Sequence, residues 1–332
     1  MGQTRISNTT ESETIFRTEG SGEDLVKETV MAGRRVQQPI RRVVISKRKQ
    51  TAVERRQGRD LLRANGFLTT DGDGACIFNT ANPCGRCIDC MVYGFAVGTG
   101  GAQKSRVLTD DAFSIAPSSQ ITDRRQFNAL FDNSTMRSPV DGKPSTSIGT
   151  EEYVRPETHF LDMETLKDVT PAELEYVVGN ILRSTRYGAI SSRLGRVKND
   201  LVAIVLSDCE LFSNLELTQT VYDLLLAKMP ASTQQAGAEA RDWAQGAITM
   251  SDTDFHTFLA GNPELPFPLP AADVRTAVDA AVDVLLPNIP TAAIVIRGEQ
   301  LANAIREVRG AYASPEAVRA FLGRVADAHA RS

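Results

Sequence analysis

Four of the chain's five cysteines fall within fifteen residues, as Cys76, Cys84, Cys87 and Cys90. Thiolates prefer soft metal ions, and zinc usually takes four ligands in a tetrahedron. The run Cys84-Gly85-Arg86-Cys87-Ile88-Asp89-Cys90 repeats a two-residue spacing that lets neighbouring sulfurs face one ion, and Gly85 permits the tight backbone this needs. Cys76 could supply the fourth ligand, with His159 as the other candidate. The cluster predicts a structural zinc site. Disulfides are disfavoured, because nothing marks the chain as secreted.

A catalytic zinc is the alternative. Asn82-Pro83-Cys84-Gly85-Arg86-Cys87 matches the Pro-Cys-x-x-Cys half of the nucleobase deaminase signature, whose other half is an upstream His/Cys-x-Glu. Here Cys76-Ile77-Phe78 stands upstream, and the proton-moving glutamate is missing. Four sulfurs would also leave no open position for water.

Three further constellations suit phosphate. Lys47-Arg48-Lys49, continuing to Arg55 and Arg56, sits where a strand runs into a helix, and helix-start N–H groups with basic side chains favour an anion. Gly98 to Arg106 is glycine-rich and ends in Gln103-Lys104-Ser105-Arg106. It lacks the spacing of a Walker loop, so contact with a nucleic-acid backbone fits it better than a mononucleotide site. Arg183 to Tyr187, then Arg193, Arg196 and Lys198, puts arginine beside an aromatic, which can hold phosphate while stacking a base. Catalysis finds little support. The three histidines lie in no catalytic motif, and Asp71 and Asp73 read as a turn.

The elements that must position these groups follow from periodicity. Residues 40–45 read as a strand and 53–64 as a helix stopped by Asn65-Gly66. Thr170-Pro171-Ala172-Glu173 is a capping box with proline at the first helical position, opening a helix over 170–184. A buried strand is expected over 200–206, a short one over 293–296, and helices over 220–228, 271–286 and 315–328. Residues 1–22 look like a flexible leader. Residues 108–158 are polar and too long for a casual loop, and read as a protruding hairpin or arm.

The 332 residues suffice for one large elaborated domain or two, and 42% hydrophobic content supports a core. No apolar run is long enough for a membrane span, and residues 1–19 lack the apolar stretch of a signal peptide. A cytoplasmic, reducing location is expected. The net charge of −4 hides an asymmetry. Residues 34–63 hold eleven Lys/Arg against two acids, whereas 208–283 hold twelve acids against three bases. Basic surfaces of this kind attract phosphate polymers.

The ordered set is specific as a whole. Pro83-Cys-Gly-Arg-Cys-Ile-Asp-Cys-Met-Val-Tyr-Gly94 is followed by Gly-Gly-Ala-Gln-Lys-Ser-Arg-Val at 100–107. Pro-Glu-Thr-His-Phe at 156–160 and Asn-Ile-Leu-Arg-Ser-Thr-Arg-Tyr-Gly-Ala at 180–189 complete it. Over roughly residues 30–230 the chain resembles the backbone subunit of type I-D CRISPR surveillance (Cascade) complexes, a member of the Cas-seven family. The resemblance implies an α+β fold: an RRM-like (ferredoxin-like) palm over 23–332, with a zinc-binding finger inserted at about 66–106 and a thumb-like arm at about 108–158. It implies copies stacked head to tail along one CRISPR RNA, beside other type I-D Cascade subunits, with bases left free to pair with target DNA.

On that resemblance, Lys47, Arg48, Lys49, Arg55 and Arg56 contact phosphates from the palm. Gln103, Lys104, Ser105 and Arg106 contact them from a loop, as do Arg186, Tyr187 and Arg193. Phe131 and Met136 are wedge candidates on the thumb. No enzymatic activity and no membrane partner are expected. Two rivals remain: a backbone that also cuts nucleic acid with metal through Asp71, Asp73, Asp110 or Asp111, and a freestanding zinc-containing RNA-binding protein.

Overall fold

The computed structural model describes residues 2–16, 25–68, 76–77, 83–97, 101–128, 130–145, 148–187, 195–228 and 265–330. In chain order the elements begin with β1 (Gly2–Thr10), β2 (Lys27–Met31), β3 (Pro39–Ile45), α1 (Lys47–Ala64) and α2 (Ile88–Tyr93). Short strands β4 (Phe95–Val97), β5 (Gly101–Gln103), β6 (Val107–Thr109) and β7 (Ala112–Ser114) follow, then α3 (Ser118–Ile121). Next come β8 (Thr122–Asn128), β9 (Ile148–Val154), β10 (His159–Leu166), α4 (Pro171–Arg183) and β11 (Val197–Leu206). The chain ends in α5 (Asn214–Ala227), α6 (Ala271–Leu285), β12 (Ile294–Ile296), α7 (Gly298–Ala311) and α8 (Pro315–Ala330).

The main sheet is antiparallel, ordered β12-β11-β1-β10-β7-β3-β2, with β6 also on β10. Both faces are covered. One carries α1, α4, α7 and α8 over Ile6, Leu166, Leu201 and Ile204. The other carries α5 and α6 over Leu161, Met163 and Val202. Burial on two faces removes the usual alternation: all eight residues of β10 are buried.

The leader reading of residues 1–22 is corrected here. Residues 2–10 are a central strand, paired with β10 on one side and β11 on the other. Its sequence, GQTRISNTT, has one large apolar residue, so hydropathy misses it. Several of its polar side chains are hydrogen-bonded instead: Asn8 Nδ2 donates to Asn199 Oδ1 at 2.8 Å, and Thr10 Oγ1 donates to the Arg155 carbonyl at 2.7 Å. Satisfied polar groups can be buried at little net cost.

The arm at 108–158 is also redrawn. β6 and β7 belong to the main sheet, and the separate two-stranded part is the β8–β9 ribbon with its tip. The ribbon's base is fixed by the Thr14–Val154 bridge and by the Lys27–Glu152 ion pair.

Helix α1 packs against α4 at Gly58, where a Cβ would lie 2.3 Å from the Tyr176 hydroxyl and 2.5 Å from Asn180 Nδ2. Both partners are fully buried and have no room to retreat. Gly58→Ala is expected to cost about 1–3 kcal/mol through overpacking. Thermal denaturation checks this, and an unchanged or higher Tm would refute the close packing.

Candidate metal centre and nucleic-acid interface

Cys76, Cys84, Cys87 and Cys90 converge so that all four sulfurs lie within 4.8 Å of one another. The Cys76–Cys87, Cys76–Cys90 and Cys84–Cys90 separations are 3.8, 3.5 and 3.9 Å. A tetrahedron with metal–sulfur bonds of about 2.3 Å has an edge of about 3.8 Å, so the sulfurs suit one ion. A multinuclear iron–sulfur cluster, in which each cysteine holds a different iron, would hold them farther apart. Among the described residues this is the one group of three or more Cys, His, Asp or Glu ligand atoms so placed.

The local chain is built for this convergence. Gly85 has φ +72°, in the left-handed region that glycine adopts without strain. Amides donate to sulfur along the run, from Cys84 to Cys76, from Cys87 to Cys84 and from Cys90 to Cys87, at 3.3–3.5 Å. Cys87 thereby also caps α2. Hydrogen bonds from the Cys87 and Cys76 thiols bring the Cys90 thiol down to about 5, despite its burial. Burial pushes Cys76 up.

Behind the sulfurs lies a charge cluster that the sequence reading did not assign. Asp89, fully buried, accepts from Arg55 Nε and Nη2 at 2.9 and 2.8 Å and from Arg59 Nη1 at 2.5 Å. Arg59 also binds the Cys76 carbonyl and lies 3.9 Å from its sulfur. Burial works against the charge on Arg59, but Asp89 and Cys76 outweigh it and raise its pKa. Outer-shell hydrogen bonds of this sort hold ligands in place. The i, i+4 spacing of Arg55 and Arg59 puts both on one face of α1, and it was the available signal.

The cysteine segment packs into the main core. Cys76, Cys87, Ile88 and Cys90 share one cluster with Leu62, Tyr176 and Phe321. The expectation that it braces a separate finger gives way to a site wedged beneath α1, α4 and α8. His159 is excluded as a ligand: its Nδ1 meets Thr9 Oγ1 at 3.0 Å and its Nε2 meets the Leu269 carbonyl at 3.1 Å.

The basic residues divide into two groups. Lys47, Arg48 and Arg56 are exposed and Lys49 half-buried; Lys47, Arg48 and Lys49 open α1 and Arg56 lies at its middle. That helix has no acid in its own first turn and its N-cap residue Ser46 makes no side-chain cap, so three cations stand at the positive end of its dipole. Asp111 Oδ1 accepts from the Lys47 amide at 2.9 Å. Lys104 and Arg186 are exposed, while Gln103 and Ser105 are half-buried. Tyr187 donates to Glu54 at 3.4 Å, which carries the segment after α4 across α1 roughly 10 Å from its first turn.

The other group is engaged within the fold itself. Arg55 is committed to Asp89 and the Gly94 carbonyl. Arg106 is committed to Glu173 and to the carbonyls of Met91 and Asp168. Tyr187 is buried and also accepts from Asn199 at 2.6 Å, so its ring cannot stack a base. Met136 and Phe131 are half-buried in the ribbon tip, where the exposed apolar side chains are Leu130 and Val140. Arg193, Asp71 and Asp73 lie outside the described residues. The carbonyls of Asp110 and Asp111 accept from Asn214.

The model of the Csc2 CRISPR family matches residues 4–240. The chain belongs to that family. The resemblance read from the sequence is borne out at this level. No curated protein matches significantly. Among solved structures, that of Thermofilum pendens Csc2 is 18% identical, with a TM-score of 0.48 over 86% of this chain and 88% of that one. A chain of a CRISPR RNA-guided surveillance complex is 10% identical, with a TM-score of 0.43 over 88% of this chain and 87% of its own. A chain of a Type IV-B CRISPR complex is 13% identical, with a TM-score of 0.40 over 60% of this chain and 90% of its own. The Csc2 match ends within the residues that follow α5, so α6, α7 and α8 lie beyond it. No described helix of this Csc2-family chain is long and apolar enough to cross a membrane.

Proposed function

We propose that this chain is a non-catalytic, cytoplasmic backbone subunit of a type I-D CRISPR surveillance complex. Copies stack head to tail along the guide RNA with the other subunits, and the guide's bases stay open to target DNA. The observation that carries the RNA-binding reading is the start of α1, where Lys47, Arg48 and Lys49 follow one another at the positive helix end, with Asp111 on the Lys47 amide as a partial counter-charge. Bound phosphate adds to that counter-charge. Recognition through phosphates is independent of sequence, as a guide-binding subunit requires.

Support for an RRM-like palm comes from the order β11-β1-β10-β7, with α1 and α4 on one face and each helix leading toward a strand of that set. The ion held by the four cysteines is zinc on this reading. It supplies cross-linking of the chain, while Arg55, Arg59 and Asp89 hold the ligand loop against α1.

Lys49→Ala with Arg56→Ala is expected to weaken binding of single-stranded RNA roughly tenfold on every sequence tested. The slope of log K against log salt should fall by about 1.4, for two lost phosphate contacts. Fluorescence anisotropy over a salt series reads both. A loss confined to particular sequences, or an unchanged slope, would remove α1 from the interface.

A further inference from the structure

A cleft of about 270 Å³ opens between the end of α4, the start of β11 and the end of α7. Arg183, Arg196, Lys198 and Arg309 line it, with Asp200 as the acid in its wall. With Glu11 paired to Arg196 from outside the lining, four cations stand against two carboxylates, a local excess in a chain of net charge −4.

The cleft exists because α7 lies tightly on α4. Tyr312, just after α7, presses its hydroxyl against Gly179, where a Cβ would sit only 2.0 Å away. The Arg183 guanidinium lies 5.1 Å from the centre of the Tyr312 ring. This cation–π pair lies at one wall of the cleft and can serve as a platform. Arg196 pairs with Glu11 and Lys198 with Asp200, each at 2.9 Å and largely exposed. Exposed pairs contribute little stability and exchange readily for a phosphate. Arg183 and Arg309 are exposed and form no ion pair among the described residues.

We propose that this cleft seats one nucleotide of a single-stranded nucleic acid. Arg309, Lys198 and Arg196 hold the phosphate, and the base lies on the Arg183–Tyr312 platform. An acidic protein segment would answer the charge but leave the platform unused. The site draws Arg309 and Tyr312 from beyond the family-matching residues 4–240, and it is distinct from the α1 surface.

The test uses the full chain and a single-stranded RNA carrying 4-thiouridine, photocrosslinked and mapped by mass spectrometry. Crosslinks to the peptide holding Tyr312 are expected. Arg309→Ala with Lys198→Ala should reduce them roughly tenfold and lower the salt slope by about 1.4, while crosslinks to α1 persist. Both side chains are exposed, so the Tm should be unchanged, and Arg309→Lys should retain most of the signal. Crosslinks at α1 alone would overturn the cleft and leave the guide-binding reading standing. Crosslinks at the cleft alone would do the reverse. Polyglutamate competing as well as RNA would replace the nucleotide by a protein partner and so overturn the assignment.

Discussion

Replacing Cys87 with serine is expected to release the bound metal and to loosen the core beneath α1 and α8. The side chain is one of four converging sulfurs and also caps α2. Structural zinc sites contribute about 10–16 kcal/mol in isolated peptides, comparable with the whole stability of a domain. Losing one ligand forfeits part of this. It also leaves Arg59 and Asp89 bracing a loop that no longer has its anchor. Because the cysteines share their core with Leu62, Tyr176 and Phe321, the damage spreads beyond the loop. A Tm drop of more than about 10 °C is expected, corresponding to several kcal/mol. Metal analysis should show about one zinc per wild-type chain and far less in the variant, with new protease cuts between residues 68 and 106. Cys209, half-buried outside the cluster, provides the control, and Cys209→Ser should change neither quantity. Full zinc content and an unchanged digest in Cys87→Ser would sink the metal site.

The cysteine cluster was legible because its information is local. Two overlapping Cys-x2-Cys turns and a glycine leave little freedom, and of the two candidates for fourth ligand the structure brings Cys76, eight residues upstream, to the other sulfurs. The helix after the Thr170 capping box was equally legible. Thr170 Oγ1 accepts from the Glu173 amide, and the Glu173 carboxylate accepts from the Thr170 amide at 2.7 Å. Strand β1 was not legible, because its stability comes from two neighbours more than 140 residues away in sequence and from polar pairs that carry no hydropathy signal.

The basic surface was half legible. Residue type marks a cation, but its fate depends on what tertiary structure places beside it. Arg55 and Arg56 are adjacent in sequence, yet a helix turns them about 100° apart. Arg55 therefore meets buried Asp89, while Arg56 faces solvent. Arg106 meets Glu173 in the same way, across 67 residues. Tyr187, the aromatic that the sequence offers for stacking, is buried, whereas Tyr312, which carries no motif, lies beside the exposed Arg183 at the cleft.

A second large effect should come from three carboxyls under α1. Glu54, Asp162 and Glu164 are at most 1% exposed, and none forms an ion pair among the described residues. Burial raises all three; repulsion from Glu54 adds to it at Asp162 and Glu164, whereas at Glu54 hydrogen bonding with Glu164 and Tyr187 works against it. For Asp162 the pKa is pushed up to about 8, even though it accepts from the Met163 amide at 2.7 Å and from Asn214 at 3.1 Å. Unfolded, such a group titrates near 4. Between these values the native state holds protons that the unfolded chain has released. The stability this group contributes is therefore complete below about pH 4 and lost as pH rises toward 8. A gap of about four units corresponds to something on the order of 5 kcal/mol. Asp162→Asn keeps an oxygen to accept from Met163 and Asn214 but cannot ionise. The variant should match wild type near pH 4.5 and exceed it in Tm by about 5 °C or more near pH 8.5. Parallel Tm profiles for the two proteins from pH 4.5 to 8.5 would mean that Asp162 titrates normally, and that solvent reaches the carboxyls this fold encloses.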